Sequence, residues 1–165
     1  TTKIKKIMVD LTDIYINKIA LLFDGSDKSM KAANYAIYLS NLTKSDLIIL
    51  HVIEDIKQAG VIGLRARYGD LRLVKGFVNT RKEAIRKRMI PIENFANKKG
   101  IKIIKTILED NNTSITDVIM RFTEKNKIDL LIMGTRGYSK FKKLLVGSLA
   151  TNLVNHSKCP ILVVR

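Results

Sequence analysis

Residues 128–148 read IDLLIMGTRGYSKFKKLLVGS. This stretch runs from a strand pattern, through a segment with three glycines, to the start of a helix pattern. Residues 129–133, DLLIM, form a short apolar run, which is typical of a strand buried on both faces of a sheet. The run is followed by three glycines, Gly134, Gly137 and Gly147, and then by Ser148. Glycine lets backbone N–H groups approach an anion closely, and a helix N-terminus favours negative charge. The stretch therefore predicts either an anion cradle or an ordinary turn with a serine helix cap.

Strand patterns and helix patterns alternate along the rest of the chain. The predicted strands are 18–23, 46–53, 101–108, 129–133 and 160–164. The predicted helices are 27–41, 79–98, a segment over 115–122 capped by Thr113 or Ser114, and 148–156. Helix 27–41 has a stripe of Met30, Ala33, Ile37 and Ser40, and helix 79–98 has a stripe of Ile85, Met89, Ile92 and Ala96. Alternation of this kind predicts a three-layer α/β fold, with a parallel sheet covered by helices on both faces.

Three segments need a separate interpretation. Residues 1–17 are predicted to be an N-terminal extension that contains a short amphipathic helix, and residues 18–165 to be one domain. Residues 60–76 contain four glycines among basic residues, which predicts a mobile loop. Pro91 lies inside helix 79–98 and is expected to kink or split it.

The composition sets broad limits on function. The chain has 165 residues, one cysteine and a net charge of +15, and no stretch approaches the roughly 20 apolar residues of a membrane span. These features favour a cytoplasmic protein that does not enter a membrane. Twelve cations and three acids lie between residues 57 and 99, which suits either a polyanion-binding surface or a solvated helix face. Aromatic residues make up only 6%, so a base-stacking surface for nucleic acid is not evident.

The predicted strand ends supply the candidate functional residues. Ligands of open α/β sheets bind beyond the carboxyl ends of the strands, where Asp24, His51 and Gly134 lie in this sequence. Neither a P-loop nor a G-x-G-x-x-G fingerprint after the first strand is present, which argues against a P-loop NTPase and an NAD site. His51, His156 and Cys159 are interpreted as structural residues, since no metal-ligand or nucleophile–base spacing is found.

The pattern Gly134-x2-Gly137-x9-Gly147-Ser148 resembles the ATP-binding branch of the universal stress protein family. The similarity extends to FDGSDKSMKAANYAIYLS at 23–40, LIILHVIED at 47–55 and the segment from 128 to 165. This resemblance implies a Rossmann-like fold of the adenine nucleotide alpha hydrolase type, with a five-stranded sheet of order 3-2-1-4-5. It also implies an adenine nucleotide between strands one and four, and a homodimer formed through the edge strand 160–164.

The resemblance assigns roles to individual residues of this sequence. Asp24 is implied to lie near the ribose and phosphates and to meet a bound Mg²⁺, and Val52 is implied to meet adenine through its backbone. Met133 is implied to line the pocket, and the glycines and the start of the last helix to hold the phosphates and ribose. Leu22 stands where the family often has proline, which changes shape rather than chemistry. The cofactor-binding residues are then Leu22, Asp24, Val52, Met133, Gly134, Gly137, Gly147, Ser148, Leu149 and Ala150.

The expected function is therefore binding of ATP, ADP or AMP in a stress response or in regulation. No hydrolytic base or arginine finger is obvious, so no catalytic residue is assigned and fast turnover is not expected. Two alternatives stay open: a slow Mg²⁺-dependent ATPase or phosphotransfer enzyme that uses Asp24, and a polyanion or nucleic-acid binder that uses the basic region 57–99.

Overall fold

The computed structural model describes residues 14–53, 63, 68–69, 71–109, 113–135 and 147–165. The strands are β1 (Lys18–Leu22), β2 (Asp46–Ile53), β3 (Ile103–Glu109), β4 (Leu130–Gly134) and β5 (Ile161–Val164). The helices are α1 (Asp27–Thr43), α2 (Leu71–Asn97), α3 (Ile115–Asn126) and α4 (Ser148–His156). The predicted alternation of strands and helices is confirmed. The predicted helix at the start of the chain lies outside the described residues.

The five strands form one parallel sheet of order β3-β2-β1-β4-β5, as predicted. β1 is central: Leu22 is paired with Leu50 of β2 on one side and with Met133 of β4 on the other. The chain moves outward from β1 to β2 and β3, and then returns across β1 to form β4 and β5. The strand order therefore reverses between β1 and β4, where open α/β sheets bind ligands.

Separate hydrophobic cores cover the two faces of the sheet. Ile19 and Leu21 of β1 pack with α1 and α2 on one face, called here the α1/α2 side. Ala20 of β1 and Leu50 of β2 pack with α3 and α4 on the other face, called here the α3/α4 side. Where both faces are buried, as in β1, β2 and β4, consecutive strand residues must be apolar, which explains their near-continuous apolar runs. Burial of one Leu or Ile side chain stabilises the fold by roughly 1.5–3 kcal/mol.

Helix α1 begins and ends with specific capping contacts. Ser26 is the N-cap, and its Oγ accepts the Ser29 N–H at 3.2 Å. Lys44 adopts the left-handed conformation at the C-cap, with a φ of 60°. Most of the predicted stripe is buried, but Met30 is 36% exposed, and Ser29 takes its place in the core. Alanines occupy much of this face, so apolar periodicity alone did not fix which side of the helix is buried.

Helix α2 is longer than the sequence pattern predicted. Residues 71–76, which were predicted to lie in a mobile loop, form its first turns. Pro91 does not split the helix, and both Pro91 and Lys87 are exposed. Pro91 removes the hydrogen bond to the Lys87 carbonyl, and water can satisfy a carbonyl at an exposed position. The rest of the predicted loop, apart from residues 63, 68 and 69, lies outside the described residues.

The other boundaries move by one or two residues, as helix and strand ends commonly do. Ser114 caps α3, with its Oγ accepting the Asp117 N–H at 3.1 Å, which settles the choice between two candidate caps. Strand β4 ends at Gly134, so this glycine is the last residue of the strand and not the first residue of the loop. None of the helices in the described part of the chain is long and apolar enough to cross a membrane.

Candidate functional site

The candidate site is the crevice beyond the carboxyl ends of β1 and β4. Leu22 and Met133 are paired across these two strands, and each is followed within two residues by a predicted site residue. Val52 lies on β2, two residues beyond the Leu50 that pairs with Leu22. The sheet thus brings the ends of its three central strands to one edge, as the predicted site requires.

Asp24 lies in a tightly bonded turn between β1 and α1. Its Oδ1 accepts the Ser26 N–H at 2.9 Å, and the Ser26 carbonyl accepts the Ser29 hydroxyl at 2.9 Å. Gly25, between Asp24 and Ser26, has a φ of +83°, a region that side chains other than glycine rarely adopt. The turn therefore fixes the Asp24 carboxylate at the start of α1.

Gly134 packs against the first turn of α1. A Cβ built on Gly134 would lie 2.9 Å from the Lys28 carbonyl carbon and 2.9 Å from Lys28 Cβ. Carbon atoms in contact prefer about 3.5–4.0 Å, so no side chain fits there unless the helix moves. Glycine at the end of β4 therefore sets the distance between the strand end and α1.

Arg88 of α2 also contacts this turn, and sequence reasoning did not identify it. Its Nη1 donates to the Gly25 carbonyl at 3.0 Å. A Cβ on Gly25 would lie 2.7 Å from Arg88 Cδ, so the guanidinium side chain occupies the space that glycine leaves. In sequence, Arg88 is one of three consecutive basic residues, and nothing distinguishes it from its neighbours.

Five of the predicted site residues belong to one hydrophobic cluster on the α3/α4 side. Val52 and Met133 are buried at the strand ends, and Ala150 is buried in the first turn of α4. Leu22 and Leu149 are partly buried against the same cluster. Leu22, Val52 and Met133, at the ends of β1, β2 and β4, therefore lie on the same face as the N-terminus of α4.

The start of α4 is tied to the end of β4. Gly147 donates its N–H to the Thr135 carbonyl at 2.9 Å, and Thr135 donates its N–H to the Val164 carbonyl at 2.9 Å. Gly147 is the N-cap of α4 and has no side-chain capping bond, and Ser148 is the exposed first residue of the helix. The first N–H groups of a helix lack intrahelical acceptors, so they can bind an anion. Gly137 lies outside the described residues.

The two histidines and the cysteine make local contacts. His51 Nδ1 lies 2.7 Å from the Phe23 carbonyl oxygen, which can only accept, so Nδ1 carries the proton. His156 Nδ1 lies 2.8 Å from the Asn152 carbonyl, within α4. Cys159 is partly buried and its Sγ lies 3.4 Å from Ser157 Oγ. The structural roles of all three residues stay predictions, and Cys159 is less buried than the small buried hydrophobe that was predicted.

A cleft of about 540 Å³ lies at the opposite edge of the sheet. It is lined by residues that include Tyr15, Lys127, Asp129 and Cys159, which flank the amino ends of β1, β4 and β5. None of the predicted site residues that the structure describes lines it. It is a separate surface from the crevice at the carboxyl ends of the strands, where topology places ligands in this fold.

Comparison with known proteins identifies the family. A model of the universal stress protein family matches residues 16–165, and the chain belongs to this family. Universal stress protein MJ0531 of Methanocaldococcus jannaschii is 31% identical over 149 residues, covering 90% of this chain and 81% of the relative. Universal stress protein YxiE of Bacillus subtilis is 27% identical over 150 residues, covering 90% of this chain and 99% of the relative.

Solved structures share the fold. The protein MJ0577 aligns with a TM-score of 0.75 at 24% identity, covering 92% of this chain and 96% of that one. A universal stress protein in complex with cAMP aligns with a TM-score of 0.64 at 20% identity, covering 92% and 98% of the two chains. A universal stress protein from Archaeoglobus fulgidus in complex with dAMP gives a TM-score of 0.58 at 12% identity, covering 92% and 99%. At these identities the likeness shows a common fold.

Proposed function

We propose that this protein binds an adenine nucleotide in the crevice beyond β1 and β4. We propose that this nucleotide is ATP, which carries more phosphates than ADP or AMP. The observation that carries the proposal is the position of the switch point, where an apolar cluster adjoins the N-terminus of α4. The cluster suits an apolar ring, and the helix terminus suits phosphate. Two proteins of the same fold have been solved with cAMP and with dAMP, which supports adenine as the base.

In this proposal the nucleotide contacts both the apolar cluster at the strand ends and the N-terminus of α4. Adenine lies against Val52 and Met133, and the phosphates meet the first N–H groups of α4, from Ser148 to Ala150. Leu22, Gly134, Gly137 and Gly147 complete the lining. The protein would use ATP as a regulatory ligand in a stress response.

The residues at the site would give Mg²⁺ little support of their own. Asp24 offers a carboxylate, but the described residues contain no group of three His, Cys, Asp or Glu side chains that could hold a metal ion. A Mg²⁺ ion typically keeps several waters and binds through one or two carboxylates plus substrate phosphates. We therefore propose that Mg²⁺ arrives with ATP. Asp24→Asn, which can still accept the Ser26 N–H, should reduce the gain in ATP affinity that Mg²⁺ provides.

Identification of the bound nucleotide is the direct test. Purified protein is denatured, and the released small molecules are identified by mass spectrometry, while calorimetry measures the affinity of the emptied protein for ATP, ADP and AMP. We expect an adenine nucleotide to be released and ATP to bind. Absence of a released nucleotide, together with no heat of binding at millimolar ATP, would refute the proposal.

A substitution pair at Ser148 tests where the phosphates bind. Ser148→Asp places a negative charge at the N-terminus of α4, which should stabilise the unliganded protein by about 0.3–1 kcal/mol through the helix dipole. The same charge should repel phosphate, so ATP affinity should fall more than in the neutral control Ser148→Ala. AMP should be affected less than ATP because it carries fewer phosphates. Equal affinities of the two variants for ATP would place the phosphates elsewhere.

We also propose that a second copy of the chain pairs with β5. Among the described strands, β5 is an edge of the sheet and borders only β4. The Pro160 carbonyl accepts the Leu131 N–H of β4, and the Val164 carbonyl accepts the N–H of Thr135, the residue after β4. By alternation, the backbone groups of Ile161 and Val163 face away from β4. Unpaired edges of this kind favour strand pairing between chains. Light scattering should give a dimer mass, and Val163→Pro, which removes one outward N–H, should lower it towards that of a monomer.

A further inference from the structure

The positive charge of the helices lies on one side of the sheet. Helices α1 and α2 together contain nine Lys or Arg residues and three Asp or Glu residues, a net charge of +6. Helix α3 contains two basic and two acidic residues, and α4 contains no Lys, Arg, Asp or Glu. The two helices of the α3/α4 side therefore have no net charge. Among the described helices the surplus therefore lies in one layer, and an uneven distribution of this kind creates a directed positive field, which an even distribution of the same charge would not.

The acidic residues of α2 are already held in ion pairs. Glu83 lies 2.5 Å from Arg86, and Glu93 lies 2.5 Å from Lys105 of β3. In the described part of the chain, the exposed side chains of Arg72, Lys75 and Lys87 have no ion pair. These three cations lie within about 120° around the helix axis, since each residue turns the helix by about 100°, and they form what we call the α2 basic face. Their charges are available to an external anion.

The dimensions of this face suit a long anion. Helix α2 has 27 residues, so at about 1.5 Å per residue it spans roughly 40 Å. Arg72 and Lys87 lie 15 residues apart, or roughly 22 Å along the helix axis. A single nucleotide covers only a small part of this length. A polymer with regularly spaced charges can contact several of the cations at once.

The apolar residues of α2 argue against a membrane as the partner. Its exposed apolar side chains include Leu73, Ile90 and Phe95. Ile90 and Phe95 lie about 140° apart around the helix axis, since each residue turns the helix by about 100°. They therefore do not form the continuous apolar stripe that an interfacial membrane helix inserts between lipids.

We propose that the α2 basic face binds the phosphate backbone of double-stranded nucleic acid, without reading its sequence. Contacts with backbone phosphates need only cations, whereas binding of single strands also uses aromatic stacking, and this chain is only 6% aromatic. The face lies on α2, whereas the proposed phosphate contacts lie on α4 at the opposite layer. Binding at the two places therefore does not depend on one shared set of residues.

The test compares two triple variants that remove the same charge from opposite sides of the protein. One is Arg72→Gln, Lys75→Gln and Lys87→Gln on the α2 basic face. The control with the same change of charge is Lys125→Gln, Lys127→Gln and Lys158→Gln, whose exposed side chains lie at or just beyond the C-terminal ends of α3 and α4. Of these, Lys158 pairs with Glu124 at 3.1 Å, so the control also removes one surface ion pair. Fluorescence anisotropy measures binding to a labelled duplex of arbitrary sequence over a series of salt concentrations. Circular dichroism confirms that both variants unfold at the same temperature as the wild type.

For the wild type, the logarithm of the binding constant should fall linearly with the logarithm of salt concentration. Loss of three phosphate contacts should reduce the magnitude of that slope by roughly 2–3 in the α2 variant, and the control should keep the wild-type slope. Equal weakening of both variants would show that only net charge matters and would overturn the proposal. Binding to anionic vesicles but not to the duplex, or no duplex binding at low salt, would also overturn it.

Discussion

Replacement of Gly134 by alanine tests the close contact between β4 and α1. The added Cβ would lie 2.9 Å from the Lys28 carbonyl carbon and 3.0 Å from the Lys28 carbonyl oxygen. These are backbone atoms of a helix, so they cannot rotate away as the end of a side chain can. Overpacking of this kind costs about 1–3 kcal/mol, and we expect Gly134→Ala to lower the free energy of unfolding by that amount. If the proposed function holds, ATP affinity should also fall, because the Asp24 turn moves with α1.

Gly76 supplies the matched control because it undergoes the same chemical change in open space. It lies inside α2, and no atom is within 4 Å of where its Cβ would be. Alanine is favoured over glycine inside a helix by about 0.5–1 kcal/mol, so Gly76→Ala should stabilise the protein. Urea unfolding followed by circular dichroism measures both changes in the free energy of unfolding. The comparison requires that the slope of this free energy against urea concentration is the same in all variants. A Gly134→Ala protein as stable as the wild type would refute the steric argument.

Further substitutions test individual contacts. Gly25→Ala should cost about 1–3 kcal/mol, because a φ of +83° strains alanine and its Cβ would meet Arg88. Adding Arg88→Ala to Gly25→Ala should recover only the part of the lost stability that is due to the clash with Arg88. A double-mutant cycle in urea measures this coupling, and strictly additive effects of the two substitutions would contradict it. Ser40 Oγ is buried and has no hydrogen-bond partner among the described residues, so Ser40→Ala should keep or raise stability by up to about 1 kcal/mol. Asp129 Oδ2 accepts two backbone N–H groups at the entry to β1, at 2.8 and 2.9 Å. Asp129→Ala should therefore cost about 1–3 kcal/mol and speed hydrogen exchange of both amides, and unchanged exchange would contradict this.

The sheet could be predicted from the sequence because its signal is local. Strands buried on both faces must be apolar at consecutive positions, and the runs of β1 and β4 are followed by glycine-containing turn sequences. Helix α2 was predicted less well, because glycines at 69 and 76 suggested a loop. Gly76 nevertheless lies inside the helix, where its neighbours compensate for its poor helix propensity. Glycine predicts a turn only when the surrounding structure needs a positive φ, as at Gly25.

The site residues likewise differ in what reveals them: some follow a local sequence pattern, and others depend on contacts between distant parts of the chain. The Asp24 turn and the start of α4 follow short patterns in the chain, and the sequence located both. Arg88 is 63 positions from the Gly25 carbonyl that it contacts, so only the folded arrangement of α2 reveals it. The contact of Gly134 with Lys28 likewise depends on how α1 crosses the end of β4.

The glycines of the predicted motif therefore differ in how strongly they support ligand binding. Gly134 is required by packing against α1, whether or not a nucleotide binds. Gly147 has a φ of −68°, which any residue can adopt, and it caps α4 without a side-chain hydrogen bond. The side-chain oxygen of serine, aspartate or asparagine at this position would accept a hydrogen bond from one of the first N–H groups of α4. Glycine forgoes that bond and keeps the N–H groups of α4 available to a phosphate. Gly147, not Gly134, is thus the glycine whose identity favours an anion site over a simple turn.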